Sequence, residues 1–429
     1  MITYPDSVQY LYLLGNEIKT IKMGLERISV LLAALNHPEH ACRWVHVAGT
    51  NGKGSTCVMI ESSLRAAGFR TGLYTSPHLV EPIERIQING EPVTREEFAE
   101  AFRKVHACAN QLIDNGGIDG HPTYFETVTA MAFLLFHEKK IDIGVIEVGL
   151  GGRLDATNVI TPELSVITPV DFDHEAWLGN SLRAIAGEKA GIIKPGVPVV
   201  AAGQRAEAMD RIREAAAGAS ALLQESSLCL VHNLELDPNG CRFQTVIGQE
   251  AVMLECPLAG LHQVANIRTA VTALQALGLS VTAIQEGIAR AQWPGRLERV
   301  SASPDIILDG AHNPAGIRAL TDHITRFYAD RKVWLIYATM RDKSVDEIGE
   351  RLSGAASEII LTMSDSARSL RPETLRPMFP HPQVRTAPRL AQALELAAEA
   401  APSDVIFICG SLFLVGEAKA LFSKAPAVT

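Results

Sequence analysis

Short apolar runs rich in Val, Ile and Leu recur along the chain, separated by segments whose apolar positions return at helical spacing. Trp44–Ala48, Ile143–Val148, Leu164–Thr168, Val197–Ala201, Ile306–Leu308, Lys332–Tyr337, Glu358–Thr362 and Val405–Cys409 read as buried strands, because a strand covered on both faces needs no polar alternation. Phe125–Glu138, Met209–Ala217, Asn266–Leu277 and Leu390–Ala400 read as helices. This alternation predicts an α/β protein with a largely parallel sheet. Asn233–Glu255 breaks the pattern. Its Asp237-Pro-Asn-Gly240 is a turn signal between alternating residues and predicts a hairpin within the first domain. Helix-compatible sequence stops at Trp293-Pro-Gly-Arg296, which predicts two domains, 1–295 and 296–429.

One strand leads straight into chemistry. Val45–Val47 runs into Ala48-Gly-Thr-Asn-Gly-Lys-Gly-Ser55, and Thr56–Ala67 reads as a helix. Gly49, Gly52 and Gly54 let the backbone close around an anion, while Lys53 adds a positive charge. A strand, a glycine loop with lysine and a helix N-terminus together cradle nucleotide phosphates. The alternative is a glycine turn that merely joins strand to helix. The spacing also departs from the usual phosphate loop: Val47 stands at the first glycine, and Gly54 stands where a metal-binding hydroxyl is expected.

Polar groups gather at other strand ends. Glu147 closes the run Ile143–Val148, either as an acidic partner for the nucleotide's magnesium or as a capped strand terminus. Asp173 and His174 follow Leu164–Thr168 and have the donor types of metal ligands. Thr75-Ser-Pro-His78 follows the strand-like Thr71–Tyr74, with Ser76 held extended before Pro77, and also fits a plain turn. Lys189 in Glu188–Lys194 fits either a solvated residue or a desolvated amine able to form a carbamate with carbon dioxide. In the second domain, Leu308-Asp-Gly-Ala-His-Asn-Pro314 places Asp309 and His312 beyond a strand end. Arg296 reads either as a structural ion-pair partner or as an arginine finger toward phosphates.

Bulk properties narrow the partners. The 429 residues carry a formal charge of −9, which argues against a nucleic-acid partner. No apolar run is long enough to span a bilayer, and the N-terminal residues lack a secretory pattern. Seven scattered cysteines without a Cys-x-x-Cys pair fit a reduced, cytoplasmic setting. No Ser/His/Asp or Cys/His nucleophile context is present, whereas metal-type groups accumulate around a nucleotide loop. Phosphoryl transfer is the chemistry that suits such a set.

Taken together, Gly49–Ser55, Thr75–Leu79, Glu147–Asn158, Asp173-His174, Glu188–Gly191, Trp293–Arg296, Asp309–Pro314 and Gly410–Leu412 resemble the folylpolyglutamate synthases, including bacterial forms that are also dihydrofolate synthases, within the Mur-type ligases. The resemblance implies a central ligase domain with the phosphate loop and a smaller Rossmann-like domain that closes over ATP and binds glutamate. It implies ATP-dependent addition of L-glutamate to folates, and to dihydropteroate in bifunctional forms, through an acyl phosphate. A monofunctional synthase and a Mur-type ligase for another carboxylate are the alternatives. A nucleotide switch would have no use for the second domain.

By position, the resemblance assigns Gly49, Thr50, Asn51, Gly52, Lys53, Gly54 and Ser55 to the ATP phosphates, and Asn266, Arg296 and Asp309 to other nucleotide contacts, with His312 in the same loop. Ser76, Glu147, His174 and Lys189, the last as a carbamate, match ligands of two magnesium ions. Thr123, Tyr124, Phe125 and Glu126, with Leu154, Asp155 and Ala156, match the pterin-side segments. Lys22, Met23 and Gly24 match a third, where the bifunctional enterobacterial pattern has Asp in place of Lys22. The resemblance further implies a monomer acting on small molecules.

Overall fold

The computed structural model describes residues 2–14, 24–341 and 346–423. Lys22 and Met23 therefore lie outside the described residues. The chain divides into two compact units. One comprises Met1–His232, Gln244–Leu254 and Ala265–Ala291, and the other comprises Asn233–Phe243, Glu255–Val264 and Gln292–Thr429.

The first unit is built on an eight-stranded sheet of β1 (Arg43–Ala48), β2 (Thr71–Tyr74), β3 (Ile86–Ile88), β4 (Glu91–Pro92), β5 (Ile143–Glu147), β6 (Leu164–Ile167), β7 (Val199–Ala201) and β8 (Leu223–Glu225), in the order β4-β3-β2-β5-β1-β6-β7-β8. From β2 to β8 every neighbouring pair is parallel, while β3 and β4 run antiparallel at one edge. The carboxyl ends of β2, β5, β1 and β6 therefore open on the same edge of the sheet. The strand order turns about β1, whose neighbours β5 and β6 come much later in the chain. That is where open α/β sheets leave a crevice for ligands.

Burial explains the continuous apolar runs. Every residue of β1 after Arg43, and all of β5 and β6, are buried. The helix Lys53–Ala66 is buried without a break from Gly54 to Leu64, although it contains Ser62 and Ser63. Small residues permit this, because the helix Val281–Ala289 lies directly against it: a Cβ on Gly287 would fall 2.2 Å from the Ser63 Cα. A separate core of Trp44, Phe98, Phe102, Phe133 and Phe136 fills the other face. Truncating one such aromatic side chain typically costs about 3–5 kcal/mol.

A three-stranded sheet contains β9 (His232–Asp237), β10 (Gly240–Ile247) and β11 (Glu250–Cys256), in the order β11-β10-β9. The predicted turn at Asp237–Gly240 does join two neighbouring strands, β9 and β10, and β11 extends the hairpin to three. Gly248, at a φ of 63°, supports a second reversal that the sequence pattern hid inside one long arm. Asn233–Phe243 and Glu255–Val264 also group with the second unit, not with the first.

The second unit has β12 (Glu298–Ala302), β13 (Asp305–Asp309), β14 (Val333–Tyr337), β15 (Glu358–Leu361), β16 (Val384–Thr386) and β17 (Val405–Cys409), in the order β12-β13-β17-β14-β15-β16. Only β12 is antiparallel. Leu335, Tyr337, Phe379 and Phe407 lie in its core. The helix Pro314–Phe327 starts immediately after the β13 turn, capped by Asn313 Oδ1, which accepts from Gly316 N at 2.9 Å.

Candidate active site

β1 delivers the chain to Gly49, whose φ of 154° is unfavourable for any side chain. A Cβ there would fall 1.8 Å from Thr168 Oγ1 at the end of β6, so the loop needs glycine for close approach as well as for conformation. The loop is then fastened to the residues after β6. Pro169 O accepts from Thr50 N at 2.9 Å and from Asn51 N at 3.2 Å. Thr50 Oγ1 donates to Asp171 O at 3.0 Å and accepts from Asp171 N at 3.1 Å.

Gly52, with a φ of 81°, is the N-cap of the helix Lys53–Ala66 and supplies no side-chain cap. The helix therefore begins at Lys53, three residues earlier than predicted, and Gly54 and Ser55 belong to its first turn. That helix end presents backbone N–H groups and the positive end of the helix dipole, the requirements of an anion site. A Cβ on Gly52 would fall 2.2 Å from Asn266 Oδ1, which brings Asn266 to the loop although 214 residues separate the two positions (266 minus 52). Lys53 Nζ is held by the loop itself, donating to Gly49 O and Thr50 O at 3.2 Å each.

Neighbouring strand ends complete the edge. Glu147 is the last residue of β5, and its Oε2 accepts from Ser76 N at 3.1 Å, so the turn after β2 and the end of β5 meet. His174 has a φ of 52° and caps the helix Glu175–Leu178; its backbone N–H donates to Asp173 Oδ1 at 2.9 Å. Glu147, Asp173 and His174 do not form a preassembled ligand triplet among the described residues.

Lys189 ends the helix Leu182–Lys189 and is only 4% exposed. Its Nζ donates to Gly49 O at 2.8 Å. Burial, reinforced by the nearby Lys53 charge, lowers its pKa to about 7, against opposing pulls from Asp173 and Asp155. The solvated-lysine reading is thereby excluded.

Two further segments, Thr123–Glu126 and Leu154–Ala156, lie by the turn after β5 at the same edge. A Cβ on Gly149 would fall 2.5 Å from the Phe125 ring, placing Thr123–Glu126 against the turn after β5. Thr123 and Glu126 form the capping box of the helix Tyr124–Glu138, and Arg27 Nε donates to both Glu126 oxygens at 3.2 and 3.0 Å. Their polar groups thus serve the scaffold. Asp155 is buried, and desolvation raises its pKa. Its Oδ2 accepts from Leu150 N at 2.8 Å, and its Oδ1 accepts from Thr157 N and Oγ1 at 3.0 and 2.5 Å. Leu154 and Ala156 flank it, while Gly24 lies at a φ of 153° beside Glu26.

Sequence reasoning missed His46. Buried inside β1, it lies 2.8 Å from Thr157 Oγ1 through Nε2. Because the Thr157 hydroxyl gives its proton to Asp155, its oxygen must accept from His46 Nε2–H, and this fixes the imidazole tautomer. Desolvation pushes the His46 pKa down to about 3, so the ring is neutral. A histidine in an apolar strand gives no sequence signal of such a partner, which comes from the turn Ala156–Val159, 111 residues away.

In the second unit, Asp309 ends β13 and is buried, with its carboxylate accepting from Leu297 N and Ala311 N at 2.9 Å each. Burial raises its pKa, while the Arg296 charge acts in the opposite direction. Arg296 packs on Gly310, where an added Cβ would fall 2.2 Å from its Nη1. His312 Nδ1 lies 2.8 Å from Gly310 O, so that nitrogen carries the proton. Arg296, Asp309 and His312 thus form one cluster around the β13 turn.

A glycine loop at the switch point of a parallel sheet, with lysine, carboxylate, hydroxyl and imidazole at the same edge, defines a nucleotide-dependent phosphoryl-transfer enzyme. Residues 47–274 match the Mur ligase middle domain, and residues 295–412 match the Mur ligase, glutamate ligase domain. The chain is 38% identical to a dihydrofolate synthase/folylpolyglutamate synthase of Bacillus subtilis, over 81% of this chain and 83% of that one. It is 34% identical to a folylpolyglutamate synthase of Lacticaseibacillus casei, over 96% and 97%. The Mycobacterium tuberculosis folylpolyglutamate synthase complexed with ADP superimposes with a TM-score of 0.90 at 32% identity, over 98% and 99% of the two chains. Escherichia coli FolC in complex with DHPP and ADP superimposes at 0.86 and 32%, over 98% of each. The chain belongs to the Mur ligase family of ATP-dependent ligases, in its folylpolyglutamate synthase/dihydrofolate synthase branch.

Proposed function

We propose that this enzyme adds L-glutamate to the γ-carboxylate of folates and to dihydropteroate. The observation that carries the reading is the meeting of phosphate loop, Ser76–Glu147 pair and buried Lys189 at one sheet edge, beside the Thr123–Glu126 and Leu154–Ala156 segments. A carboxylate is a poor acyl donor. Its oxygen attacks the γ-phosphorus of ATP, the bond to the β,γ-bridging oxygen breaks, and ADP departs. The amine of glutamate, having lost its proton, then attacks the acyl carbon. An amide forms, and phosphate leaves with the former carboxylate oxygen. Gly49–Ser55 and Lys53 bind and orient the phosphates, and Asn266 supports the loop at Gly52. Arg296, Asp309 and His312 are assigned to nucleotide contacts, and the unit matching the glutamate ligase domain to glutamate.

The donors at this edge fit magnesium. Ser76 and Glu147 offer hard oxygen ligands, and the Ser76 backbone N–H on Glu147 Oε2 holds the two together. Ser76, Glu147, His174 and a carbamylated Lys189 would hold two ions, which when bound neutralise phosphate charge. An amine with a substantial neutral fraction near pH 7 suits carbamate formation, in which Lys189 Nζ adds to carbon dioxide and releases a proton. The seven cysteines are free, and no helix of the described residues is long and apolar enough to cross a membrane. A monomer working on small molecules in the cytoplasm, without nucleic acid, is part of the same proposal.

The test is ATP turnover by the purified protein with magnesium, with and without glutamate, supplying dihydropteroate and tetrahydrofolate separately. Turnover that requires glutamate plus either acceptor supports the proposal, and turnover with tetrahydrofolate alone makes the enzyme monofunctional. Turnover indifferent to every acceptor overturns the ligase assignment.

A further inference from the structure

The opposite end of β1 carries a second cluster. A six-residue strand separates it from the phosphate loop, roughly 20 Å at the usual rise per residue. Pro38–His40 form one turn of 3-10 helix leading toward β1, and His37 before it adopts a left-handed φ of 52°. This bend brings three side chains together. Glu39 Oε1 lies 2.9 Å from His37 Nδ1 and 3.7 Å from His40 Nε2. The two rings are nearly parallel, at 7° and 5.1 Å between centroids. All three donor atoms lie within 4.8 Å of one another, and no other His/Cys/Asp/Glu triplet of this kind occurs among the described residues.

Two features distinguish this trio from surface histidines beside an acid. The Glu39 side chain is only 7% exposed, whereas those of His37 and His40 are 52% and 68% exposed. Moreover, Glu39 Oε2 is buried with no hydrogen-bond partner among the described residues. A buried carboxylate oxygen without a partner is costly, and pairing His37 with Oε1 leaves that cost in place, whereas an ion shared by both carboxylate oxygens would offset it. The spacing suits a metal ion. Bonds of about 2.0–2.1 Å in a tetrahedral shell set neighbouring donors roughly 3.3 Å apart, between the two observed separations. Trp44 Nε1 donates to Glu39 O at 2.7 Å, anchoring the ligand backbone from inside the core.

We propose that His37, Glu39 and His40 bind one divalent ion of the zinc type, with solvent in the fourth position. Two imidazoles and a carboxylate suit zinc, cobalt or nickel, whereas magnesium and calcium prefer oxygen donors. Bound there, the ion would lock the turn that precedes β1, far from the phosphates. Magnesium and the ligase reaction are not involved, so the proposal stands apart from the functional assignment.

The experiment is calorimetric titration of chelator-treated full-length protein with Zn2+, in buffer containing millimolar Mg2+, together with Co2+ absorption spectra. The wild type is expected to bind one more Zn2+ than the His40→Ala and His37→Ala variants, or to bind it at least tenfold more tightly. Its Co2+ spectrum should show four-coordinate d–d bands that both variants lose. Both substituted rings are largely exposed, so the variants should fold; circular dichroism checks this, and Glu39→Gln is a third arm. Equal Zn2+ binding by wild type and both histidine variants, or no binding at 50-fold excess, overturns the proposal and leaves an ion pair.

Discussion

Lys189 Nζ donates to the carbonyl oxygen of Gly49 at 2.8 Å, joining the end of a helix to the first glycine of the phosphate loop. The buried amine also feels Lys53, Asp173 and Asp155, so it is influenced by charges on the phosphate-loop helix, the turn after β6 and the turn after β5. The contact gives Lys189 two consequences that can be measured apart.

The first is pH-dependent stability. The folded-state pKa of Lys189 is lowered to about 7 from 10.5. Between those values the unfolded chain binds a proton that the folded chain does not, so stability rises with pH, by at most about 1.4 kcal/mol per pH unit. Below pH 7 both states are protonated and the burial penalty is fully present. Urea unfolding of the wild type and Lys189→Met, without nucleotide and in carbon dioxide-free buffer, should show the wild type gaining on the variant from pH 7 toward pH 10. Parallel profiles would contradict the burial.

Lys189 also offers a chemical test. Lys189→Ala should lose most ligase activity and recover part of it with small carboxylates such as formate. Wild-type activity in Lys189→Ala would rule out the carbamate.

Lys53 is half-buried and bonds only to loop carbonyls among its described partners. Lys53→Ala should cut kcat/KM for ATP by at least ~100-fold, the scale of losing one charge-stabilising donor. The stability loss should stay under about 2 kcal/mol. Near-normal turnover would contradict the phosphate assignment.

Gly52→Ala meets both a φ of 81° and the Asn266 amide. It should cost roughly 1–3 kcal/mol and weaken ATP binding. Adding Asn266→Ala removes the clash but not the backbone strain, so the double variant should recover part of the stability. Strictly additive losses would mean that the two residues do not meet.

His46 and Thr157 hold Asp155. Thr157→Val should raise KM for the pterin substrate roughly tenfold, about the value of one hydrogen bond to a charged group, while KM for ATP stays unchanged. Thr157→Ser should restore it. A Val variant in which kcat and both KM values worsen together would assign the network to folding alone.

Much of this was legible in the sequence because the strands are buried on both faces and end in their functional groups. Glu147 and Asp309 fall on the last residues of β5 and β13. What was hidden depends on which strands become neighbours. Thr50 is clamped by Pro169 and Asp171, and Gly52 meets Asn266, because β6 lies beside β1 and a later helix returns to the loop. No local pattern encodes those pairings. The helix start was misplaced at Thr56 because glycine is a poor helix former, and Gly54 gave no sign of joining the first turn.

We infer that the loop at Gly49–Ser55 drives phosphorylation of an acceptor carboxylate. The most direct measurement uses a folate or dihydropteroate whose acceptor carboxylate is labelled with 18O, followed by mass analysis of the inorganic phosphate released during glutamate ligation. An acyl phosphate transfers one labelled oxygen to each phosphate. Phosphate free of label, with amide still formed, would contradict the account.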